Sequence, residues 1–151
     1  MTHRKDNQYQ YRFQAAAEYV AGYFNVKSVV ISDSEGLVVA RAGRENFDAD
    51  VIAAKGLEMI GALDKQIEKI IGPRGEYAVV KTSKDWLTLA RVSTLLLIVV
   101  AKRDTDDLLH IRIARAMDMI FSHLKNRYPT LIQLEKSRDK KSRKNMEGIH
   151  V

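Results

Sequence analysis

The sequence predicts one α/β domain in which a five-stranded antiparallel sheet carries helices on both of its faces. Two observations support this fold class. The run Leu95–Val100 is apolar without alternation, and Val29–Ile31 nearly so, as in strands that are buried on both faces. Three amphipathic helical segments accompany the five strand segments, and a single face of such a sheet cannot cover the apolar stripes of all three helices.

The first predicted elements are a helix over Gln8–Phe24 and a β-hairpin. Apolar residues recur at spacings of three and four along the helix, which places them on one stripe: Tyr9, Phe13, Ala17, Val20 and Phe24. The strand segments Lys27–Asp33 and Leu37–Ala40 flank the turn Ser34-Glu35-Gly36, where the glycine can supply a positive φ. The order of these segments predicts a helix that leads into a hairpin.

A second helix is predicted from Asp48 or Asp50, either of which can cap it, to about Ile71. Its main apolar stripe consists of Ile52, Met59, Leu63, Ile67 and Ile70. A further apolar flank consists of Ala53, Leu57, Ile60 and Ile71. A helix that is apolar over more than one face needs two neighbours, either within its own domain or across an interface.

Three strands and a closing helix complete the element order α-β-β-α-β-β-β-α. The strands are predicted at Glu76–Lys81, Trp86–Ala90 and Leu95–Val100, joined by short polar turns. The helix is predicted over Asp106–Arg127, with Asp104 or Thr105 as its cap. Its apolar stripe consists of Leu109, Ile113, Ala116, Met117, Ile120 and Leu124.

Length and composition predict one domain over residues 1–129 and a basic, disordered tail over residues 130–151. The tail holds six lysines and arginines against three carboxylates. It could contact nucleic acid or an anionic membrane, but no aromatic residues are interleaved for base stacking, which favours a solvated end. The chain has no cysteine, and its first residues show no apolar signal segment, so a cytoplasmic location is expected.

Motifs for catalysis, cofactors and metals are missing from the sequence. The segment Gly72-Pro73-Arg74-Gly75 lacks the spacing of a phosphate-binding loop and is better explained as a helix end with a strand entry. His110 and His123 lie thirteen residues apart on one helix, too far along its axis to share a metal. The sequence therefore predicts a protein that is not an enzyme and holds neither a cofactor nor a metal.

The stretch from Val26 to Leu124 resembles the roadblock family, of the dynein light-chain roadblock type. The resemblance depends on the order of the elements and on these segments: Val29–Ala40, Ala53-Ala54, Trp86–Leu89, Leu95–Val100, and the closing helix with Leu109, Arg112 and Ile113. It implies a roadblock/profilin-like α/β fold and a dimer, in which the third strands pair and the second helices lie side by side. Applied to this sequence, it assigns Leu57, Ile60, Tyr77 and Val79 to the dimer interface.

The resemblance also implies a partner. Roadblock domains commonly serve as platforms for small Ras-like GTPases, and a bacterial gliding-motility regulator of this type activates its GTPase without an arginine finger. The expected function is therefore a non-catalytic dimeric platform that regulates or scaffolds such a GTPase. The outward side of the second helix would meet the partner through Lys55, Glu58, Ala62 and Lys65.

A different class of function remains open from the sequence: a monomeric, profilin-like sensory module that holds a small ligand between its sheet and a helix. Such a module requires a concave, partly apolar pocket with a few convergent polar groups. The identity of the GTPase, activation as opposed to passive scaffolding, and a homodimer as opposed to a heterodimer are also left open.

Overall fold

The computed structural model describes residues 3–127 of the chain. The elements follow the predicted order: α1 (His3–Ala21), β1 (Val26–Ser32), β2 (Val38–Gly43), α2 (Ala49–Ile70), β3 (Tyr77–Lys81), β4 (Asp85–Val92), β5 (Leu95–Lys102) and α3 (Leu108–Arg127). The predicted tail, residues 130–151, lies outside the described residues, as does the predicted helix end at Tyr128-Pro129.

The five strands form one antiparallel sheet in the order β2-β1-β5-β4-β3. Helices α1 and α3 cover one face, and α2 covers the other. This arrangement confirms the predicted fold class. β5 lies at the centre of the sheet between β1 and β4 and is buried along almost its entire length, which explains why its sequence does not alternate.

The core is divided by the sheet into two layers. The larger layer lies under α1 and α3, where Val20, Val29 and Ile113 are fully buried. The smaller layer lies under α2 and contains Val30, Ala49, Ala53, Ile60, Leu89, Leu96 and Ile98. Two helices cover one face of the sheet and a single helix covers the other, so the second face is the less complete one.

Side-chain caps set two of the helix starts. Asp48 caps α2, since one carboxylate oxygen accepts from the backbone N–H groups of Asp50 and Val51 at 3.1 and 3.2 Å. α3 starts two residues later than predicted, and Asp106 accepts the N–H of Leu108 in place of the expected Asp104 or Thr105. The Thr105 hydroxyl instead donates to the carbonyl of Phe24 at 3.4 Å, and the Thr105 N–H closes a turn on the carbonyl of Lys102.

The end of α1 also differs from the prediction. The helix stops at Ala21, three residues before the predicted end, and Asn25 then takes a left-handed conformation with φ of 67°. Phe24, which the sequence pattern assigned to the buried stripe, is consequently 69% exposed. The apolar spacing continues past Ala21 because residue spacing carries no information about where the backbone leaves the helical conformation.

Candidate partner-binding surface

The side of α2 that faces the sheet is made of small residues. Ala49, Ala53, Gly56 and Ile60 are the buried residues of the helix. A Cβ atom at Gly56 would lie 2.4 Å from Cδ1 of Ile98 on β5, so a larger residue would require the buried Ile98 side chain or the helix to move. The close approach at Gly56 therefore fixes which side of α2 points inward.

Two of the predicted dimer residues lie on this inward side. Ile60 is 2% exposed and belongs to the core layer under α2, and Leu57 is half-buried against the same layer. Both side chains are thus used in packing α2 onto its own sheet. Ile60 is therefore not at the surface, whereas Leu57 and Val79 are both half-buried and Tyr77 is exposed.

The main apolar stripe of α2 is the one that remains partly uncovered. Ile52, Met59, Leu63 and Ile70 are spaced by seven, four and seven residues, so they lie along one flank of the helix. We call these four residues the flank row. Met59 and Ile70 are exposed, Ile70 at 78%, while Ile52 and Leu63 are half-buried.

The sheet on the α2 face is also incompletely covered. α2 packs over β1, β2 and β5. On the two remaining strands, Ala78 and Leu87 are only half-buried on this face, and Val80 is 43% exposed. Val80 and Leu87 are paired across β3 and β4, so they form one apolar surface at the side of the sheet where β3 lies.

A partly buried ion pair joins α2 to β4. Arg91 donates to both carboxylate oxygens of Asp64, at 3.2 and 2.8 Å, and to the carbonyl of Gly75 at 2.7 Å. The N–H of Gly75 in turn donates to Asp64 at 3.0 Å. Burial alone would raise the pKa of Asp64, but the bonds from Arg91 and Gly75 and the charges of Arg91 and Arg74 outweigh it and lower that pKa.

β3 is one edge of the sheet, and among the described residues no strand lies beyond it. The N–H of Arg91 bonds the carbonyl of Glu76, and the N–H of Thr82 bonds that of Asp85, which sets the alternation of the ladder. Even-numbered residues of β3 therefore bond to β4. Tyr77, Val79 and Lys81 direct their backbone N–H and C=O groups outward.

β2 is the other edge, and a side chain from α1 occupies its backbone. The amide of Gln14 donates to the carbonyl of Arg41 at 2.6 Å and accepts from the N–H of Arg41 at 3.2 Å. The N–H of Arg44 bonds the carbonyl of Lys27, so the alternation of the ladder directs the backbone groups of Arg41 away from β1. The Gln14 amide thus takes the place that a neighbouring strand would have.

On the α3 face, a cluster of rings lies beside the β3 edge. The Tyr77 hydroxyl lies 2.7 Å from Nδ1 of His110, and the His110 ring stacks on Trp86 with centroids 5.3 Å apart. The Lys81 ammonium lies 4.1 Å from the centroid of the Trp86 ring. Burial raises the pKa of Tyr77. This cluster packs β3 against β4 and α3.

The four residues predicted to meet a partner all lie on the side of α2 that faces away from the sheet. Lys55, Glu58, Ala62 and Lys65 are exposed. Lys55 and Glu58 form an ion pair with an N–O distance of 3.2 Å. The outward surface of α2 is therefore polar and of mixed charge, next to the apolar flank row.

Residues 3–127 contain neither a candidate metal site nor a membrane-spanning helix. In that part of the chain no group of three or more His, Cys, Asp or Glu side chains is placed to hold a metal ion. None of the described helices combines the length and apolar character needed to cross a membrane.

Comparisons with known proteins bear on the fold. No family model matches the sequence, and neither does any curated protein. Among solved structures, MglB from Myxococcus xanthus is 22% identical with a TM-score of 0.72, covering 78% of this chain and 90% of its own. A Roadblock/LC7 domain from Streptomyces avermitilis is 20% identical with a TM-score of 0.67, covering 74% and 96%. The gliding protein MglB from Thermus thermophilus is 14% identical with a TM-score of 0.68, covering 74% and 87%.

These likenesses establish a roadblock-type fold for this chain. They confirm the fold that the sequence resemblance implied. Sequence identities of 14–22% show similarity of fold only, so they assign no roles to individual residues of this chain.

Sequence reasoning missed several residues of the candidate surface. Val80 was grouped with its strand without a role, and Gln14 was given no role. A signal for the first was available, since alternation along β3 separates Val80 from Val79. No signal in the sequence links Gln14 to Arg41, because the contact spans 27 residues.

Proposed function

We propose that this protein is a non-catalytic, dimeric platform of the cytoplasm that binds a small Ras-like GTPase and regulates or scaffolds it. The observation that carries the proposal is the β3 edge, with which no other strand of residues 3–127 pairs, flanked by uncovered apolar side chains on the α2 face of the sheet. A row of backbone groups that are open to another strand is a template for strand pairing, and the exposed apolar surface beside it favours burial against a second subunit. A second copy of the chain supplies such a strand.

The alternation of β3 limits how two copies can pair. Only Tyr77, Val79 and Lys81 direct their backbone groups outward, so these residues must face one another in an antiparallel pair. A two-fold axis at Val79 uses all of them, because Val79 then meets Val79 and Tyr77 meets Lys81 of the other copy. In this register no two like charges of β3 oppose each other.

The flank row completes the interface in this proposal. Strand pairing brings the α2 face of β3 next to its copy, so Val80 and the exposed residues Met59 and Ile70 approach apolar surface of the other subunit. The resemblance assigned Leu57 and Ile60 to the contact between helices. In this proposal they support that contact by packing α2 against its own sheet, which sets the position of the flank row. Burying exposed apolar area in this way favours the dimer.

The partner surface in this proposal is the outward side of α2. Lys55, Glu58, Ala62 and Lys65 form a polar, mixed-charge surface that the dimer contact leaves accessible. The resemblance to roadblock proteins suggests a Ras-like GTPase as the partner. Ala62 is a small residue among longer charged side chains, so it provides a position where a partner side chain can be seated.

We expect Ala62→Arg and Lys65→Glu each to weaken binding of the cognate GTPase about tenfold or more, because each change acts at the centre of the proposed contact. Affinity is measured by isothermal titration with the co-purified GTPase, and GTP hydrolysis is followed with and without this protein. Lys125→Glu is the matched control, an exposed lysine on α3 with the same charge change.

Two results would count against the proposal. Sedimentation of the purified chain as a monomer at tens of micromolar contradicts the dimer. Equal GTPase affinity for the Lys65→Glu and Lys125→Glu proteins contradicts the assignment of the outward side of α2. An effect on hydrolysis distinguishes a regulator from a scaffold.

The alternative, a sensory module with a ligand between sheet and helix, has less support. At Gly56 the helix lies directly against Ile98, with no space even for a methyl group. The contact between α2 and the centre of the sheet is therefore closed at the position where such a ligand would lie.

A further inference from the structure

A cleft of about 380 Å³ opens at one end of the sheet, remote from the β1–β2 turn. It lies where β1 and β4 begin and β5 ends, beside the β3–β4 turn. Six charged residues line it: Lys27, Lys84, Asp85, Lys102, Arg103 and Asp104. No residue of β3, of the outward side of α2 or of the flank row lines it, although the β3–β4 turn adjoins the end of the β3 edge.

The backbone around the cleft is held by hydrogen bonds between elements distant in sequence. Lys102 N–H donates to the carbonyl of Asn25, and Arg103 N–H donates to the carbonyl of Lys84, each at 2.8 Å. The hydroxyl of Thr82 accepts the N–H groups of Lys84 and Asp85 at 3.3 and 3.0 Å, which closes the β3–β4 turn. The cationic residues therefore start from fixed positions rather than from a loose loop.

The charges of the cleft are unbalanced. Asp85 is neutralised by Lys27, with an N–O distance of 2.9 Å. Among the residues that the structure describes, Lys84 and Lys102 form no ion pair. Arg103 donates from one nitrogen to the carbonyl of Thr82 at 3.1 Å, which anchors the guanidinium and leaves its other nitrogen groups for a ligand. Asp104 is the remaining carboxylate of the lining.

We propose that this cleft binds a dianionic phosphate group. Two lysines and an arginine line the same open cleft, and a phosphate monoester carries a charge of about −2 at neutral pH. Guanidinium forks bind phosphate oxygens in pairs, while lysines contribute point charges. The cleft is largely open to solvent, so a phosphate group can enter it while the molecule that bears the group extends outward.

The phosphate group can belong to a soluble phosphoester or to a lipid headgroup. Two probes separate these sources: inorganic phosphate, followed by phosphorus NMR, and phosphatidylcholine vesicles with or without phosphatidylinositol monophosphate, followed by co-sedimentation. Both experiments use the full chain, so the basic tail is present in every arm. Binding of free phosphate that also displaces the vesicles identifies the group itself as the ligand, and binding of the vesicles alone identifies the headgroup.

The decisive variants change charge only at exposed side chains. We expect the double substitution Lys84→Ala with Lys102→Ala to weaken binding of the responding probe about tenfold or more. The matched control, Lys69→Ala with Lys125→Ala, removes the same charge from exposed positions on α2 and α3 and should change binding less than about twofold. Arg103→Lys keeps the charge but loses the fork, and should weaken binding severalfold.

Two outcomes would overturn the proposal. One is the lack of saturable binding of either probe by the unmodified protein. The other is an equal loss in the cleft double variant and its control, which would assign the binding to net charge alone. Unchanged thermal unfolding midpoints in both double variants establish that any difference arises at the cleft.

Discussion

β2 and β3 are both edge strands, yet only β2 has outward backbone groups bonded to another part of the described chain. At β2 the Gln14 side chain holds both the N–H and the C=O of Arg41. At β3 the corresponding groups of Tyr77, Val79 and Lys81 face outward, and no further strand follows among the described residues. The same difference extends to the sheet face, since α2 packs over β1, β2 and β5 but reaches β4 through Asp64 and Arg91.

The difference shows how association can be directed to one side of a sheet. An unprotected edge invites any strand, so proteins block the edges that must stay single. In this protein the neutral amide of Gln14 blocks the β2 edge by hydrogen bonding, whereas many other proteins protect an edge with a charged side chain. β3 is left as the place where pairing can occur, and pairing there leaves the helices of both faces undisturbed.

The largest effect is expected from Val79→Pro. Proline removes an outward N–H at the centre of β3 but no bond to β4, so the subunit should fold while strand pairing is lost. The dimer dissociation constant should rise about 100-fold or more. Sedimentation equilibrium measures this directly, with Arg41→Pro as the matched change at the outward position of β2.

Arg41→Pro should leave the dimer mass unchanged, because it acts at the edge that the Gln14 side chain already occupies. If the two proline variants weakened association equally, the contrast between the edges would be lost. A folded Val79→Pro protein that dimerised with unaltered affinity would exclude β3 as the pairing strand.

A smaller effect, about 2 kcal/mol of unfolding free energy, is expected from Asp64→Asn, which weakens charged hydrogen bonds between α2 and β4. The pKa of Asp64 is lowered from its ordinary value of 3.8, so its carboxylate stabilises the fold above that pH. This stabilisation is lost as the pH falls through the lowered pKa. The difference between the two proteins in urea unfolding should therefore shrink below about pH 4.

Paired glycine substitutions compare the inward and outward sides of α2. Gly56→Ala should destabilise by about 1–3 kcal/mol, because the added Cβ meets the buried Ile98. Gly61→Ala has no atom within 4 Å of the added Cβ and should stabilise the helix by about 0.5–1 kcal/mol. Thermal unfolding of both variants checks the opposite signs, and destabilisation by Gly61→Ala would indicate that another chain packs closely at that position.

The smallest effect is expected from Gln14→Ala, which frees the N–H and C=O of Arg41. The loss should be about 1 kcal/mol of stability, since the bonds lie near the surface. Association beyond the dimer should then become measurable by light scattering at high concentration, as the β2 edge becomes available. Strictly dimeric behaviour of this variant would indicate that β2 has a second means of protection.

The fold class could be predicted from the sequence because it depends on patterns within short segments, such as apolar runs and helix caps. The apolar run Leu95–Val100 predicts a strand that is buried on both faces, and β5 is indeed the central strand of the sheet. Asp48 was one of two candidate caps, and only the structure shows that it accepts from the next turn. These features depend on residues close together in the chain.

The orientation of α2 could not be predicted in this way. Its larger apolar residues form the flank row, whereas the side against the sheet is built from alanine, glycine and Ile60. A hydrophobicity pattern predicts that the stripe with the largest apolar residues faces the core. Where a helix packs very close to a sheet, however, small residues are favoured on the side that faces the sheet. The basic cleft could not be predicted because it depends on the pairing of β4 with β5, which places Lys84 and Asp85 beside Lys102. The register of two paired strands cannot be derived from a single sequence.

Trp86 gives this molecule a built-in optical reporter. It is the only tryptophan in the chain, it is almost fully buried, and its ring carries the ammonium group of Lys81 on one side and stacks with His110. Lys81 also contributes outward backbone groups to the β3 edge, so an event that shifts Lys81 alters the electric field at the indole. The natural ultraviolet emission of the protein should therefore report strand pairing in real time, without a dye.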